Sequence, residues 1–183
     1  MKRFLTPTFA VVLLFIATAF TAADSKNLNF TIKKGVFSAN GKNITPNWKS
    51  LVCTDVLGDD YRVLNKSNYV MTYDDLGVVV FERKYNEKRN GELSEIQFYY
   101  QVDENNSVGA TTTYKGILKI DKLEVRLELK SSEVFKKLRK WKREKAFGAG
   151  NYRLSKDKIY IYFQFNEEET KLMKVSIGED RRK

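Results

Sequence analysis

The chain has 183 residues, with 33 lysines and arginines against 23 aspartates and glutamates, so its formal net charge is +10. It contains no histidine and a single cysteine, Cys53. This composition excludes Ser-His-Asp and Cys-His catalysis, zinc sites built on cysteine and histidine, and any disulfide within one chain. Small secreted domains of eukaryotes usually carry several disulfides, so one unpaired cysteine favours a bacterial protein.

The first 23 residues have the layout of a secretory signal peptide. Lys2 and Arg3 provide a positive start, residues 9–20 form an uncharged apolar run, and small residues precede Asp24. The apolar run is shorter than the roughly 20 residues that a membrane-spanning helix needs. We therefore expect cleavage after residue 23, no transmembrane anchor afterwards, and a bacterial protein that is periplasmic or secreted. Without Lys2 and Arg3, 31 basic residues face 23 acidic ones, a net charge of +8.

The first half of the mature chain predicts several strands and one helix. Residues 28–32 alternate apolar and polar side chains, as a half-buried strand does, and Asn40-Gly41 is typical of a tight hairpin. Thr45-Pro46 begins a predicted helix, which carries apolar residues at helical spacing and ends at Gly58. Further strands are predicted at 61–64, 69–72, 78–81 and 93–102.

The second half shows the same order of predicted elements. Strands are expected at 112–120 and 123–129, about the Asp121-Lys122 turn. Ser131 or Ser132 can cap a helix that ends at the glycines of residues 148–150. The apolar face of this helix would consist of Val134, Phe135, Leu138 and Trp141. Three more strands are predicted at 152–154, 159–165 and 172–177.

The two halves can be aligned with each other, which predicts an internal repeat. Residues 34–36 match residues 115–117, and residues 78–81 match residues 159–162. We therefore expect an α+β fold of two tandem hairpin–helix–three-strand units, with antiparallel sheets and one helix packed on each. The sequence leaves open whether the two units share one continuous sheet. The expected boundaries are a signal peptide at 1–23, a first α+β unit at 24–108, a second at 109–178 and a charged tail at 179–183.

One short motif carries a resemblance to known proteins. The segment Tyr73-Asp74-Asp75-Leu76-Gly77-Val78 resembles a pattern of exported bacterial domains of unknown function. The hairpin–helix–three-strand unit is also similar to the repeat of the β-lactamase-inhibitor-protein-like and outer-membrane-assembly-lipoprotein-like folds, over roughly residues 30–100. This resemblance implies protein binding through a sheet face rather than catalysis.

The predicted second helix carries a run of cations. Its apolar residues would occupy one face and the basic side chains the rest of its surface. Such a surface suits an anionic partner, such as lipid headgroups, a cell-wall polymer or an acidic protein patch, or it is simply a solvated face. Export makes a nucleic acid an unexpected partner. The candidate residues are Lys136, Lys137, Arg139, Lys140, Lys142 and Arg143.

Aromatic side chains on two predicted strands form a second candidate surface. Because side chains alternate along a strand, Tyr99, Tyr160 and Tyr162 can line the open face of a sheet whose other face packs on the helices. Tyrosines on an open sheet are good interface material, because each offers a large contact area at a low entropic cost. Cross-strand packing within the sheet explains the same residues equally well.

The carboxylate runs of the chain favour turns over chemistry. Asp59-Asp60, Asp74-Asp75 and residues 167–169 lack the ligand spacing of a calcium loop, and adjacent aspartates ordinarily form turns. We therefore assign no catalytic, cofactor or metal residues. The leading hypothesis is an exported, non-catalytic interaction module that binds a protein or an anionic envelope component through a sheet face or the basic helix. The alternative is a histidine-independent carboxylate hydrolase acting on cell-wall glycans.

Overall fold

The computed structural model of the chain describes residues 28–45, 47–63, 70–85, 88–144 and 146–182, and for residues 84, 85 and 88–90 the backbone alone. The predicted signal peptide at 1–23 lies outside these residues. In chain order the elements are β1 (Asn29–Lys33), β2 (Val36–Ala39), β3 (Lys42–Asn43), α1 (Ser50–Leu57), β4 (Arg62–Val63), β5 (Val70–Tyr73), a 3₁₀ turn (Asp74–Leu76), β6 (Val78–Tyr85), β7 (Lys88–Tyr99), β8 (Ile117–Ile120), β9 (Leu123–Val125), α2 (Ser131–Lys137), β10 (Lys142–Glu144), β11 (Asn151–Lys156), β12 (Ile159–Phe165) and β13 (Leu172–Glu179).

The strands form two sheets, and each sheet takes strands from both halves of the chain. The five-stranded sheet has the order β3-β2-β1-β8-β9, and the eight-stranded sheet has the order β10-β11-β12-β13-β7-β6-β5-β4. Neighbouring strands are antiparallel except for β1 and β8, which are parallel. In the eight-stranded sheet the two halves meet where β7 pairs with β13.

The predicted α+β class is wrong, because the described residues are mostly β, with 46% in strands and 13% in helices. The part of the chain that the structure describes has two short helices, and each sheet contains strands of both halves. The chain therefore does not form two α+β units that each pack one helix on an antiparallel sheet. The second predicted helix ends at Lys137, and Lys142–Glu144 instead pair with β11 as an edge strand. β10 pairs with β11 across the loop that joins them, and the spacing of apolar residues within residues 134–141 could not reveal this pairing.

The two halves contribute their strands to the sheets in the same order. The first half places β1–β3 in the five-stranded sheet and then β4–β7 in the eight-stranded sheet. The second half places β8 and β9 in the five-stranded sheet and then β10–β13 in the eight-stranded sheet. In the eight-stranded sheet each half forms four consecutive strands, and the last strand of each half lies at the centre. The duplication inferred from the sequence stays a prediction about the origin of this arrangement.

The core lies between the two sheets and is rich in aromatic rings. Phe30 of the small sheet meets Phe98 of the large sheet edge-to-face, with ring centroids 4.9 Å apart. Both are buried in one cluster with Leu118, Ile96 and Phe163. Burial of such side chains is the main stabilising contribution in a domain of this size. Within the part of the chain described above, no helix is long and apolar enough to cross a membrane.

A smaller cluster contains residues that lie outside this main core. Val70, Val79 and Tyr99 of the large sheet pack there against Ala110, on the connection between β7 and β8. This connection therefore covers part of the outer face of the sheet, while alternate residues of β12 remain half-buried. The position of the β7–β8 connection therefore decides which part of the predicted tyrosine surface stays accessible.

Candidate anion-binding site

The structure divides the predicted basic surface into three parts. Only Lys136 and Lys137 belong to α2, while Arg139 and Lys140 lie in the turn that follows it. Lys142 and Arg143 belong to the edge strand β10, a geometry that directs neighbouring side chains to opposite faces. A continuous basic helix is thus a wrong prediction, and the residues do not share one surface.

Three of the predicted residues instead help to form a cleft with cations from elsewhere in the chain. The cleft has a volume of about 490 Å³, and Leu138 and Trp141 line it together with its basic side chains. It is built from the β1–β2 turn, the β8–β9 turn, the segment after α2 and the end of β11. Its described cations are Lys33, Lys34, Lys122, Lys137, Arg139, Lys140 and Lys156, seven in all.

Sequence reasoning missed four of these cations. Lys33, Lys34, Lys122 and Lys156 each lie in or beside a tight turn between two strands. A lysine at a turn has no pattern of its own, because exposed turns commonly carry charge. The positions of the predicted turns could have indicated these residues, because hairpin turns at the same edge of packed sheets bring their side chains together.

Among the described residues the cleft contains one carboxylate, and this carboxylate is already engaged. Asp121 accepts hydrogen bonds from Trp141 Nε1 at 3.0 Å, Lys156 Nζ at 3.3 Å and the backbone N–H of Lys34 at 3.3 Å. Burial by itself would raise the pKa of Asp121, but the hydrogen bonds from Trp141, Lys156 and Lys34 lower it overall. Asp121 therefore stays ionised and joins the β8–β9 turn to the other three segments of the cleft.

The remaining cations of the cleft are available for a partner. Lys33, Lys34, Lys122, Lys137, Arg139 and Lys140 are exposed, and none forms an ion pair with another described residue. Like charges gathered in a concave surface repel one another and raise the local concentration of anions. The cleft is therefore electrostatically suited to an anionic group.

Arg143 lies outside this cleft. Its guanidinium carbon is 4.0 Å from the ring centroid of Phe135 and 4.9 Å from that of Tyr152. It lines a second concavity of about 480 Å³, beside the loop between β10 and β11. Lys136 and Lys142 are exposed side chains that line neither concavity.

The predicted tyrosine surface is only partly open. Tyr99 is 3% exposed under the β7–β8 connection, so it offers no ring to a partner and that part of the prediction is wrong. Burial raises its pKa to about 12. Tyr160 and Tyr162 do lie half-buried on the outer face of β12. Tyr160 donates its hydroxyl proton to Glu95, and its ring passes over Gly178.

The Tyr73–Val78 motif has a structural role in this fold. Asp74 accepts two hydrogen bonds from Arg62, at 2.8 and 3.1 Å, and one from the backbone N–H of Thr111 at 3.0 Å. The hydrogen bonds from Arg62 lead in lowering the pKa of Asp74. Gly77 has a φ of +68°, and a Cβ there would lie 2.2 Å from the backbone nitrogen of Tyr114. The motif therefore fixes the β5–β6 connection against the segment that leads into β8.

Two further candidates for chemistry are the single cysteine and clusters of possible metal ligands. Cys53 is buried, and desolvation raises the pKa of its thiol to about 12, which disfavours the reactive thiolate. No cluster of three or more His, Cys, Asp or Glu side chains suited to a metal occurs among the residues that the structure describes.

The fold and site define a mostly-β protein of two packed sheets with a cation-lined cleft at the turns of both sheets. Within that class, the chain belongs to the family described as Domain of unknown function (DUF7738), which matches residues 29–135. The match includes Lys33, Lys34, Asp121 and Lys122 but ends before Trp141. Neither the curated proteins nor the solved structures provide a match to this chain. The expectation of a domain of unknown function is thus confirmed, while the resemblance to exported bacterial domains and to particular folds stays a prediction.

Proposed function

We propose that this protein is an exported, non-catalytic binding module whose basic cleft holds an anionic component of the cell envelope. The observation that carries the proposal is the convergence of seven described cations from four separate segments on one cleft, around a carboxylate that is already engaged. Folding brings these charges together against their repulsion, which is a cost that a binding site explains. The signal-peptide layout of residues 1–23 supports action outside the cytoplasm, where nucleic acid is not an expected partner.

Protein binding through the outer tyrosines is a weaker alternative. Tyr160 is engaged with Glu95, and the guanidinium carbon of Arg153 lies 4.1 Å from the centroid of its ring. Tyr99 is buried. Those contacts match cross-strand stabilisation of the sheet itself.

The carboxylate-hydrolase alternative also has little support. Asp74 is held by hydrogen bonds from Arg62 and Thr111, so its oxygens are occupied by the fold. An acid or base that attacks a glycan needs a carboxyl group within reach of the substrate. The engaged Asp74 does not offer one.

The experiment is a binding titration of the mature protein with long-chain inorganic polyphosphate as a soluble polyanionic probe. A double variant, Lys137→Glu with Lys140→Glu, reverses two charges of the cleft without touching a buried side chain. We expect binding to weaken at least about tenfold, and to weaken further with salt, because each cation near an anionic surface contributes about 1 kcal/mol.

A matched control has the same change in net charge at another place. Lys115→Glu with Lys171→Glu alters two exposed lysines outside the cleft. We expect the control to lose much less affinity than the cleft variant. Equal losses in both variants would mean that only net charge matters, and the cleft would no longer be the proposed site.

A further inference from the structure

The β10–β11 loop presents an exposed aromatic side chain. Phe147 is 97% exposed, the highest value among the large apolar side chains of the described residues. Its backbone oxygen accepts a hydrogen bond from Asn151 Nδ2 at 2.6 Å. Gly150 has a φ of +68°, and a Cβ there would lie 2.8 Å from the carbonyl oxygens of Phe165 and Asn166. These contacts restrain the loop backbone on both sides of Gly148, and the exposed Phe147 ring carries the free-energy cost of an aromatic side chain in water.

A stacked arginine lies beside this loop. The Arg143 guanidinium contacts the faces of Phe135 and Tyr152 and makes no hydrogen bond or ion pair with another described residue. Stacking restricts the side chain while its N–H groups stay available, which suits a phosphate group. The concavity next to it is lined by Arg143 and by residues of the loop, so arginine and loop belong to one surface.

The acidic residue that lines this concavity is engaged elsewhere. Glu144 accepts hydrogen bonds from Ser155 and Arg182 and pairs with Arg153 at 3.0 Å. Burial would raise its pKa, but the contacts with Arg182, Ser155 and Arg153 lower it overall. Its negative charge is thus balanced by two arginines other than Arg143.

A second carboxylate lies near Arg143 and is also engaged. Glu169 accepts hydrogen bonds from Ser131 and Tyr152, and these bonds are the main cause of its lowered pKa, with a smaller effect from the charge of Arg143. Its oxygens do not bond to the guanidinium. The N–H groups of Arg143 therefore stay open to an external anion.

Resting on the proposed function, we propose that the anionic component is a lipid bilayer, with Phe147 inserted among the headgroups and Arg143 bound to a lipid phosphate. A projecting ring on a loop beside an arginine matches how peripheral proteins combine apolar insertion with attraction to anionic lipids. A protein partner would need a broader apolar patch, since stable interfaces bury about 800 Å² on each side. The neighbours of Phe147 on the loop, Gly148 and Ala149, are small and exposed.

Insertion can be tested directly by fluorescence. The native Trp48 and Trp141 are 2% and 5% exposed, so Phe147→Trp adds a tryptophan with a solvent-exposed emission. We expect its emission to shift to the blue with vesicles of phosphatidylglycerol and phosphatidylcholine, and brominated acyl chains to quench it. Wild-type protein under the same conditions provides the background. If the variant binds these vesicles while its emission stays at the solvent-exposed position, the inference is wrong.

Partition measurements test the two residues separately. Phe147→Ser should lower partition onto phosphatidylglycerol vesicles roughly tenfold, because burial of the ring in the membrane interface contributes to the free energy of binding. Leu51→Ser is the control, since Leu51 is 67% exposed on α1, away from the loop. Arg143→Gln should lower partition more on vesicles that contain phosphatidylglycerol, whose headgroup has a net negative charge, than on vesicles of phosphatidylcholine alone. An equal loss in Phe147→Ser and Leu51→Ser would overturn the assignment of the loop.

The outcomes separate this inference from the proposed function. Phe147→Ser should leave polyphosphate binding unchanged, whereas the Lys137→Glu, Lys140→Glu variant should lose it. Polyphosphate binding without vesicle binding of the wild-type protein would reject the bilayer and retain the basic cleft. Unchanged polyphosphate and vesicle binding in the cleft variant would reject the proposed function.

Discussion

Trp141 donates its indole N–H to Asp121 at 3.0 Å, and this hydrogen bond ties the segment after α2 to the β8–β9 turn. Asp121 has a φ of +50°, so its backbone in the turn is in the left-handed region that residues with a side chain rarely adopt. Lys156 approaches the same carboxylate oxygen at 3.3 Å and lies 5.7 Å from the Trp141 ring centroid. One carboxylate thus organises a site whose other described charged groups are positive.

Replacing Asp121 should lower the stability of the fold but raise the affinity of the cleft for an anion. Asp121→Asn keeps an acceptor for Trp141 but removes the negative charge that pairs with Lys156 and that accepts the backbone N–H of Lys34. We expect the free energy of unfolding to fall by about 1 kcal/mol, since the group is partly exposed. Affinity for polyphosphate should rise several-fold, because a negative charge leaves the cleft. Urea unfolding and a binding titration measure the two effects; a loss of affinity together with stability would contradict an electrostatic role for the cleft.

The protein should lose stability in acid through its ion-paired carboxylates. The pKa of Asp74 is lowered chiefly by the hydrogen bonds from Arg62, and the pKa of Asp180 chiefly by that from Arg182. A carboxyl group whose pKa is lower in the folded state stabilises the fold at pH values above its unfolded pKa of ~3.9. This stabilisation disappears as the pH falls through the folded-state pKa. We expect urea midpoints to decrease below about pH 4.

Asp74→Asn is the matching variant for this pH dependence. Its stability should already be lower at neutral pH, and its decrease in acid should be shallower than that of the wild type. Parallel pH profiles for the two proteins would show that Asp74 does not titrate in the expected way.

Gly77 should be intolerant of any side chain. Gly77→Ala places a Cβ 2.2 Å from the backbone nitrogen of Tyr114 and requires a φ of +68° in a residue with a side chain. We expect a loss of roughly 2–4 kcal/mol in the free energy of unfolding. Denaturant unfolding measures this loss.

Gly41 provides the control for that substitution. Its φ is +80°, but nothing lies within 4 Å of the position that a methyl group would take, so Gly41→Ala carries only the backbone strain. We expect a loss of about 1 kcal/mol. Similar losses at the two positions would mean that the close approach of Tyr114 does not constrain the fold.

Cys53 should be unreactive in the native protein. Its side chain is buried in the core, and burial raises the pKa of the thiol to about 12. We expect an aromatic disulfide reagent to react with native protein on the order of a hundred times more slowly than with protein in urea, because reaction requires unfolding or local opening. A native rate close to that in urea would place the thiol at the surface.

Local patterns predicted many of the strands but not their partners. Residues 159–165 alternate as expected, with Ile161 and Phe163 buried and Tyr160 and Tyr162 half-buried. The same reasoning failed for residues 138–144, where apolar spacing predicted a longer helix. Leu138 and Trp141 are buried, as the spacing predicted, but burial does not require that residues 138–144 be helical. The pairing of β10 with β11 gives residues 142–144 a strand conformation instead.

The candidate site was predictable only in part, for the same reason. Lys137, Arg139 and Lys140 stood out because they are close in sequence. Lys33 and Lys122 are far apart in sequence and reach one cleft through the parallel pairing of β1 with β8. Tyr99 shows the converse, because the connection that follows β7 folds back over a side chain whose alternation predicted exposure.

The sequence by itself determined the net positive charge, the absence of histidine chemistry, the signal-peptide layout and most of the alternating strands, because composition and periodicity are local properties. Only the tertiary structure decided that each of the two sheets contains strands from both halves of the chain, and that seven described cations meet around Asp121 and Trp141. The physical reason is that strand pairing joins residues distant in the chain, and the choice of partner depends on the packing of the whole core.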